Sequence, residues 1–154
     1  MFTRKNIIQK IKQIAKGITK VKDKHTSEKG FVLDYVTIFA QTETELKELI
    51  RVSKKLGTQI DEHNGPVFKF HTPLKFKNGV LKIFRIRKPD PERPQIGCGD
   101  FKVPDYKSIK KKYLNNKYFI LMPGEEFEYL GIHDPKEDFY VYFPDITLTE
   151  ELGL

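Results

Sequence analysis

Apolar residues at the start of the chain recur with the spacing of an α-helix. In MFTRKNIIQKIKQIAKGITKVKDKH the steps between them are four, three, four and three residues, so they share one helix face, and most lysines lie off it. These positions are Ile7, Ile11, Ile14, Ile18 and Val21. We predict an amphipathic helix within residues 1–29, with its isoleucine stripe packed against the body of the protein or a second copy. Gly17 predicts a bend within it.

From residue 30 onward the pattern is mixed. FVLDYVTIFAQ is typical of a strand, and TETELKELIRVSKKLG of a helix that begins at the capping residue Thr42 and ends at Gly57. The segment TQIDEHNG ends in a turn signal, and PVFKFHTPLKF and VLKIFRIR predict a hairpin through Lys77-Asn78-Gly79. After a proline-rich stretch the order starts again: IGCGDFKV predicts a strand, PDYKSIKKKYLNN a helix, and KYFILMPG, EFEYLGIHD and DFYVYFPD three strands.

Strand, helix and further strands therefore occur twice, although the first half shows only two of its last three strands clearly. We predict an α+β fold of two tandem βαβββ modules that form a curved mixed sheet, preceded by the N-terminal helix. The predicted boundaries are 1–29 for the helix, 30–87 and 97–148 for the modules, and 88–96 for a connector that its prolines keep out of the sheet.

Composition narrows the class of protein. With 38% hydrophobic and 12% aromatic residues the chain can bury a core, and no apolar run is long enough to cross a membrane. One cysteine excludes an internal disulfide framework, and we expect a cytoplasmic protein. The net charge of +7 resides in residues 1–29, with nine basic and two acidic residues, so any contact with nucleic acid is expected only there.

The stretches LDYVTIF, NGPVFKFHTPLKF, IFRIRKPDPERPQ and IGCGDFKV, in this order, together with the repeat, resemble the vicinal oxygen chelate superfamily of glyoxalases and extradiol dioxygenases. The closer resemblance is to its YecM-like branch, and it spans roughly residues 31–145. The resemblance implies that helices cover one side of the sheet, that a ligand lies on the concave side, and that a metal site uses the first and fourth strands of each module.

Transferred by motif, the metal positions fall on unusual residues. The first-strand position is Tyr35, where the superfamily commonly has His, and the fourth-strand position is near Arg85, where Glu is usual. The second module offers Cys98 in place of His, and Tyr140 or Tyr142 at the last position. A cationic Arg opposes a divalent metal, so we expect no metal and no cofactor.

Strand alternation gives an independent view of the concave face. If the apolar sides pack under the helices, the opposite side gathers a polar set of ligand-binding candidates. These are Tyr35, Arg85, Arg87, Cys98, Asp100, Glu126 and Glu128, with Lys69 and His71 as secondary candidates. The arginines either bind a carboxylate or phosphate, or pair with the nearby acids. Cys98 is either a nucleophile or a buried thiol.

Three functional hypotheses remain open at this point. The favoured one is a cleft that binds a small anionic or polar ligand without metal. The second is a protein- or RNA-interaction protein that acts through the basic N-terminal helix. The third is a metal-dependent lyase, isomerase or dioxygenase with an atypical ligand set of His71, Cys98, Glu126 and Glu128. The sequence leaves open whether the protein is an enzyme and whether it forms a homodimer.

Overall fold

The computed structural model describes residues 2–154, and a long helix opens the fold. Helix α1 spans Arg4–His25, and Thr3 caps its N-terminus. The Thr3 hydroxyl accepts from the Asn6 amide, while the Asn6 side chain accepts from the Thr3 amide, each over 3.0–3.1 Å. This reciprocal pair satisfies two of the amide groups that a helix start leaves unpaired.

Two successive runs of strand, helix and three strands follow α1, and a short helix ends the chain. The first run is β1 (Val32–Phe39), α2 (Glu43–Leu56), β2 (Gly57–Glu62), β3 (Pro66–Phe76) and β4 (Gly79–Arg87). The second run is β5 (Gly97–Lys102), α3 (Tyr106–Tyr113), β6 (Phe119–Met122), β7 (Tyr129–Ile132) and β8 (Phe139–Pro144), followed by α4 (Leu148–Glu151).

Strand β2 is the element that the sequence pattern concealed. The segment that we took as leading into a turn pairs antiparallel with β3 as far as Glu62, and the turn is confined to the residues after it. Asn64 and Gly65 adopt positive φ angles there, of 51° and 122°. Because β2 is an edge strand and mostly exposed, it lacks the apolar alternation by which half-buried strands are recognised.

The eight strands of residues 2–154 form one mixed sheet in the order β2-β3-β4-β1-β5-β8-β7-β6. At its centre β1 pairs antiparallel with β5. On either side, β1 pairs parallel with β4 and β5 pairs parallel with β8. The first and last strands of each run are thus adjacent, and the four central strands contain residues from both halves of the chain.

Helix α1 packs across β1, β5 and β8. The side chains of its predicted stripe are at most 1% exposed, which confirms that the stripe packs on the protein's own body. Two glycines of β5 allow this close approach: a Cβ on Gly97 would lie 2.8 Å from Ile14, and one on Gly99 would lie 2.2 Å from Ile18. At the predicted bend the helix is continuous, and a Cβ on Gly17 would meet the Phe139 ring at 2.2 Å.

Candidate ligand-binding cleft

A cleft of about 230 Å³ lies on the sheet face opposite α1. Its floor is formed by alternate residues of the central strands. These are Tyr35 and Phe39 of β1, Arg85 and Arg87 of β4, Cys98 and Asp100 of β5, and Tyr142 of β8. The cleft therefore combines residues that are more than a hundred positions apart, such as Tyr35 and Tyr142.

Strand register explains why these residues meet. Thr37 of β1 is opposite Arg85 on one side and Cys98 on the other. One pleat away, Tyr35 is opposite Asp100, after a register irregularity between Leu33 and Tyr35. Because paired residues point to the same face of a sheet, the register places arginine, thiol and carboxyl side by side.

Arg85 points a partly unpaired guanidinium into the cleft. Its Nη1 donates to the His63 carbonyl over 3.0 Å, and its Cζ lies 6.0 Å from the centre of the Tyr35 ring. Its Nε is buried without a hydrogen-bond partner in the described chain. Burial works against the charge, yet Tyr35, Cys98 and Asp100 raise the pKa of Arg85 overall, so it stays a cation. A guanidinium N–H buried without a partner favours a ligand oxygen.

Arg87 both braces the connector and contributes to the cleft. It is 3% exposed, stacks 3.5 Å from the Phe39 ring centre, and donates to the carbonyls of Lys88 and Arg93 over 3.2 and 2.9 Å. Its Nη1 is buried and has no partner within residues 2–154. Burial, with the neighbouring Arg93, lowers the pKa of Arg87. A bound anion close to Arg87 would stabilise its charged form and so raise this pKa again.

Acid pairing of the two arginines, the alternative that the sequence left open, is not found in the described residues. Neither Arg85 nor Arg87 takes part in a salt bridge of residues 2–154. Asp100 lies at the cleft floor, and burial, followed by repulsion from Asp34, raises its pKa to about 8 although Arg85 opposes the rise. Near neutral pH Asp100 is therefore mostly a protonated carboxyl that can donate a hydrogen bond.

The environment of Cys98 favours a buried thiol rather than a nucleophile. It is 2% exposed, and burial raises the pKa of its thiol in spite of Arg85. Reactive cysteines need an accessible thiolate with a lowered pKa. Burial likewise raises the pKa of the Tyr35 hydroxyl. Both side chains thus form neutral walls beside the guanidinium groups.

The structure adds a cluster that sequence reasoning missed. Arg93, from the connector, donates to the Tyr142 hydroxyl over 2.9 Å and lies 4.9 Å from the Tyr140 ring centre. His133 is within 3.3 Å of the same hydroxyl, and Tyr129 meets the Tyr142 ring edge-on at 5.3 Å. Arg93 could not be predicted from strand or helix periodicity, because the connector lacks regular structure. The only feature of the sequence that pointed to it was its position among the prolines.

Four predicted candidates lie elsewhere. Strand β7 begins at Tyr129, so the alternation assumed for Glu126 and Glu128 does not apply to the bend before it. Glu126 is exposed, and Glu128 accepts from Tyr106 over 2.7 Å and pairs with Lys110 over 2.8 Å. Phe127 and Tyr129 line the cleft in their place.

Lys69 and His71 are exposed on β3 and do not line the cleft; His71 is 3.3 Å from the Thr58 hydroxyl of the edge strand. The structure therefore does not bring together His71, Cys98, Glu126 and Glu128, the atypical metal-ligand set of the third hypothesis. No cluster of three or more His, Cys, Asp or Glu side chains suited to a metal occurs in residues 2–154. None of the helices described has the length and apolarity to cross a bilayer.

Comparison with known proteins identifies the fold but no family. No protein-family model and no curated protein matches the chain. A solved structure from structural genomics, protein EC4020, matches with a TM-score of 0.72 at 11% sequence identity, over 97% of this chain and 91% of that chain. At this identity the likeness shows a shared fold alone, and it is compatible with the βαβββ pattern.

Proposed function

We propose that this chain is a two-module protein related to the vicinal oxygen chelate superfamily, nearest its YecM-like branch, and that its cleft binds a small anionic ligand without metal. The observation that carries the proposal is the pair of buried, unpartnered guanidinium nitrogens, Arg85 Nε and Arg87 Nη1, at a cleft lined by both residues. Buried donors without partners are costly, and a ligand oxygen removes that cost.

The module interpretation is supported by the symmetry of the sheet order about the β1–β5 pair. In this proposal residues 30–87 and 97–148 are the two modules, and residues 88–96 connect them. The first supplies Tyr35 and Arg85 to the cleft, and the second supplies Cys98 and Asp100. The cleft is then a site between modules, a common location for small-molecule binding.

The ligand class follows from size and charge. At about 230 Å³ the cleft is smaller than the ~300–1,000 Å³ typical of pockets for drug-sized ligands. Two arginines favour a carboxylate or phosphate, whose oxygens match the guanidinium fork. A protonated Asp100 donates to a further oxygen, whereas an ionised Asp100 repels the anion. A small carboxylate with a second oxygen nearby suits this arrangement best.

Native mass spectrometry of the gently purified protein, with elemental analysis of the same sample, is the first test. It reports a bound anion, a metal and the oligomeric state together, and thereby tests whether the protein forms a homodimer. A metal-free protein carrying a small anion supports the proposal. A stoichiometric metal that a chelator removes, together with a catalytic activity that the same chelator abolishes, overturns the proposal in favour of the metalloenzyme.

Titration with oxalate and with phosphate then tests the site directly. We expect Arg85→Met to weaken binding by about tenfold to a hundredfold, because a hydrogen bond to a charged group contributes about 1.5–3 kcal/mol. Lys82→Met is the matched control, an exposed cation removed from the same strand. Arg85→Lys keeps the positive charge but lacks the two-pronged guanidinium group, and it serves as a second variant in case Arg85→Met does not fold. Equal affinities in the wild type and Arg85→Met would refute the assignment.

A further inference from the structure

A second, larger concavity lies between α1 and the β3–β4 hairpin. It measures about 1260 Å³, and its apolar floor includes Phe31 and Phe76. The hairpin turn is held in place, because the Asn78 carbonyl accepts from the Leu33 amide over 2.9 Å and the Asn78 side chain donates to Thr19 of α1 over 3.4 Å. The Asn78 side chain thus links the hairpin wall directly to the helix wall.

Lysines line both walls of this groove. They are Lys12, Lys16 and Lys20 on α1, Lys29 after it, and Lys75 and Lys77 on the hairpin. All six are exposed, and the salt bridges of the described chain involve none of them. The two acids at the groove are already paired, Asp23 with Lys22 and Glu28 with Lys112. The groove therefore carries a concentrated, uncompensated positive charge.

We propose that this groove binds the phosphate backbone of a single-stranded nucleic acid. The helix-wall lysines recur every four residues, about 6 Å apart along the axis, a spacing on the scale of successive phosphates in an extended strand. The lysines of the hairpin face the strand from the other side. Phe76, half-buried on the floor, offers an aromatic surface to a base.

The geometry disfavours an anionic membrane as the occupant. A helix that lies on a bilayer inserts its apolar face, but the apolar face of α1 is buried in the protein core, with Ile11 and Ile18 at 0% exposure. The lysines also line a concave channel rather than a flat face. A flexible chain of regularly spaced charges fits that channel. The sequence placed basic character only in residues 1–29, and the hairpin lysines extend it.

The test is fluorescence anisotropy of the full chain with labelled oligouridine and oligothymidine, measured across a salt series. Counterion release predicts a slope of about −0.7 per phosphate contact and, at about 0.1 M salt, about fivefold in affinity per contact. We therefore expect Lys16→Gln/Lys20→Gln and Lys75→Gln/Lys77→Gln each to weaken binding about twenty-five-fold and to reduce the slope by about 1.4.

Lys54→Gln/Lys55→Gln is the control, because it removes the same charge from exposed positions at the end of α2. This control should bind as the wild type does. If it loses as much affinity as the groove variants, binding reflects net charge alone and the proposal is wrong. Binding to phosphatidylserine vesicles but to neither oligonucleotide would also overturn it. Arg85→Met should leave oligonucleotide binding unchanged, so this test is independent of the ligand cleft.

Discussion

Replacing Asp100 with Asn should change how the free energy of unfolding depends on pH. Burial raises the pKa of Asp100 to about 8 in the folded protein, against 3.8 for an unperturbed Asp. Between these values the folded state holds a proton that the unfolded chain has released. Because the folded state binds more protons, rising pH destabilises the protein across this interval and costs nothing further above it.

The magnitude follows from the two pKa values. They are about four pH units apart, and each unit corresponds to 1.36 kcal/mol, so the loss by pH 9 has a ceiling of about 6 kcal/mol. Asn keeps the shape of a protonated Asp but has no proton to release. Asp100→Asn should therefore match the wild type near pH 4 and exceed its stability by several kcal/mol at pH 9.

Urea unfolding followed by far-ultraviolet circular dichroism, at one-unit steps from pH 4 to 9, measures this difference. Asp138→Asn, an exposed aspartate in the loop before β8, is the control and should give a curve parallel to that of the wild type. Titrating groups that do not interact with Asp100 are common to both proteins and cancel in the difference, whereas Asp34, which repels Asp100, belongs to the measured effect. A constant difference between wild type and Asp100→Asn across the whole range would refute a carboxyl that is protonated in the folded state.

Three further predictions concern packing and reactivity. Ile14→Ala should lower the free energy of unfolding by about 2–5 kcal/mol because Ile14 is 1% exposed, whereas Ile120→Ala, 44% exposed, should cost far less; equal costs would exclude α1 from the core. Gly97→Ala should lower the free energy of unfolding, measured by urea denaturation, by about 1–3 kcal/mol, because its Cβ would meet the Thr37 carbonyl at 2.6 Å. An unchanged urea midpoint would contradict this close approach. Ellman's reagent should react with Cys98 slowly in the native protein and rapidly in urea, because the thiol is 2% exposed; rapid native reaction would identify an accessible thiolate.

The sequence was informative wherever one face of an element is buried. The stripe of α1, the Thr42 cap of α2 and the hairpin turn at Asn78 all follow local rules, and the structure contains them. Strand β2 could not be recognised because an exposed edge strand carries no apolar alternation. The turn at Asn64 was nevertheless correctly placed.

The cleft was predictable to the extent that it depends on strand alternation. Tyr35, Arg85 and Asp100 lie on regular strands, so their common face follows from a period of two residues. Glu126 precedes its strand, and Arg93 belongs to the connector, so neither position is fixed by a period. Side chains on irregular segments are positioned by long-range contacts, which a single sequence does not contain.

The packing of α1 has a consequence for the order in which the chain is synthesised. Near its end, Lys24 pairs with Glu137, 113 residues later, and the helix also covers β8, which is among the last elements to be made. At a synthesis rate of about 5–20 residues per second, the isoleucine face of α1 is made on the order of ten seconds before β8. During that interval the nascent chain displays an uncovered apolar helix, which is the kind of segment that chaperones bind.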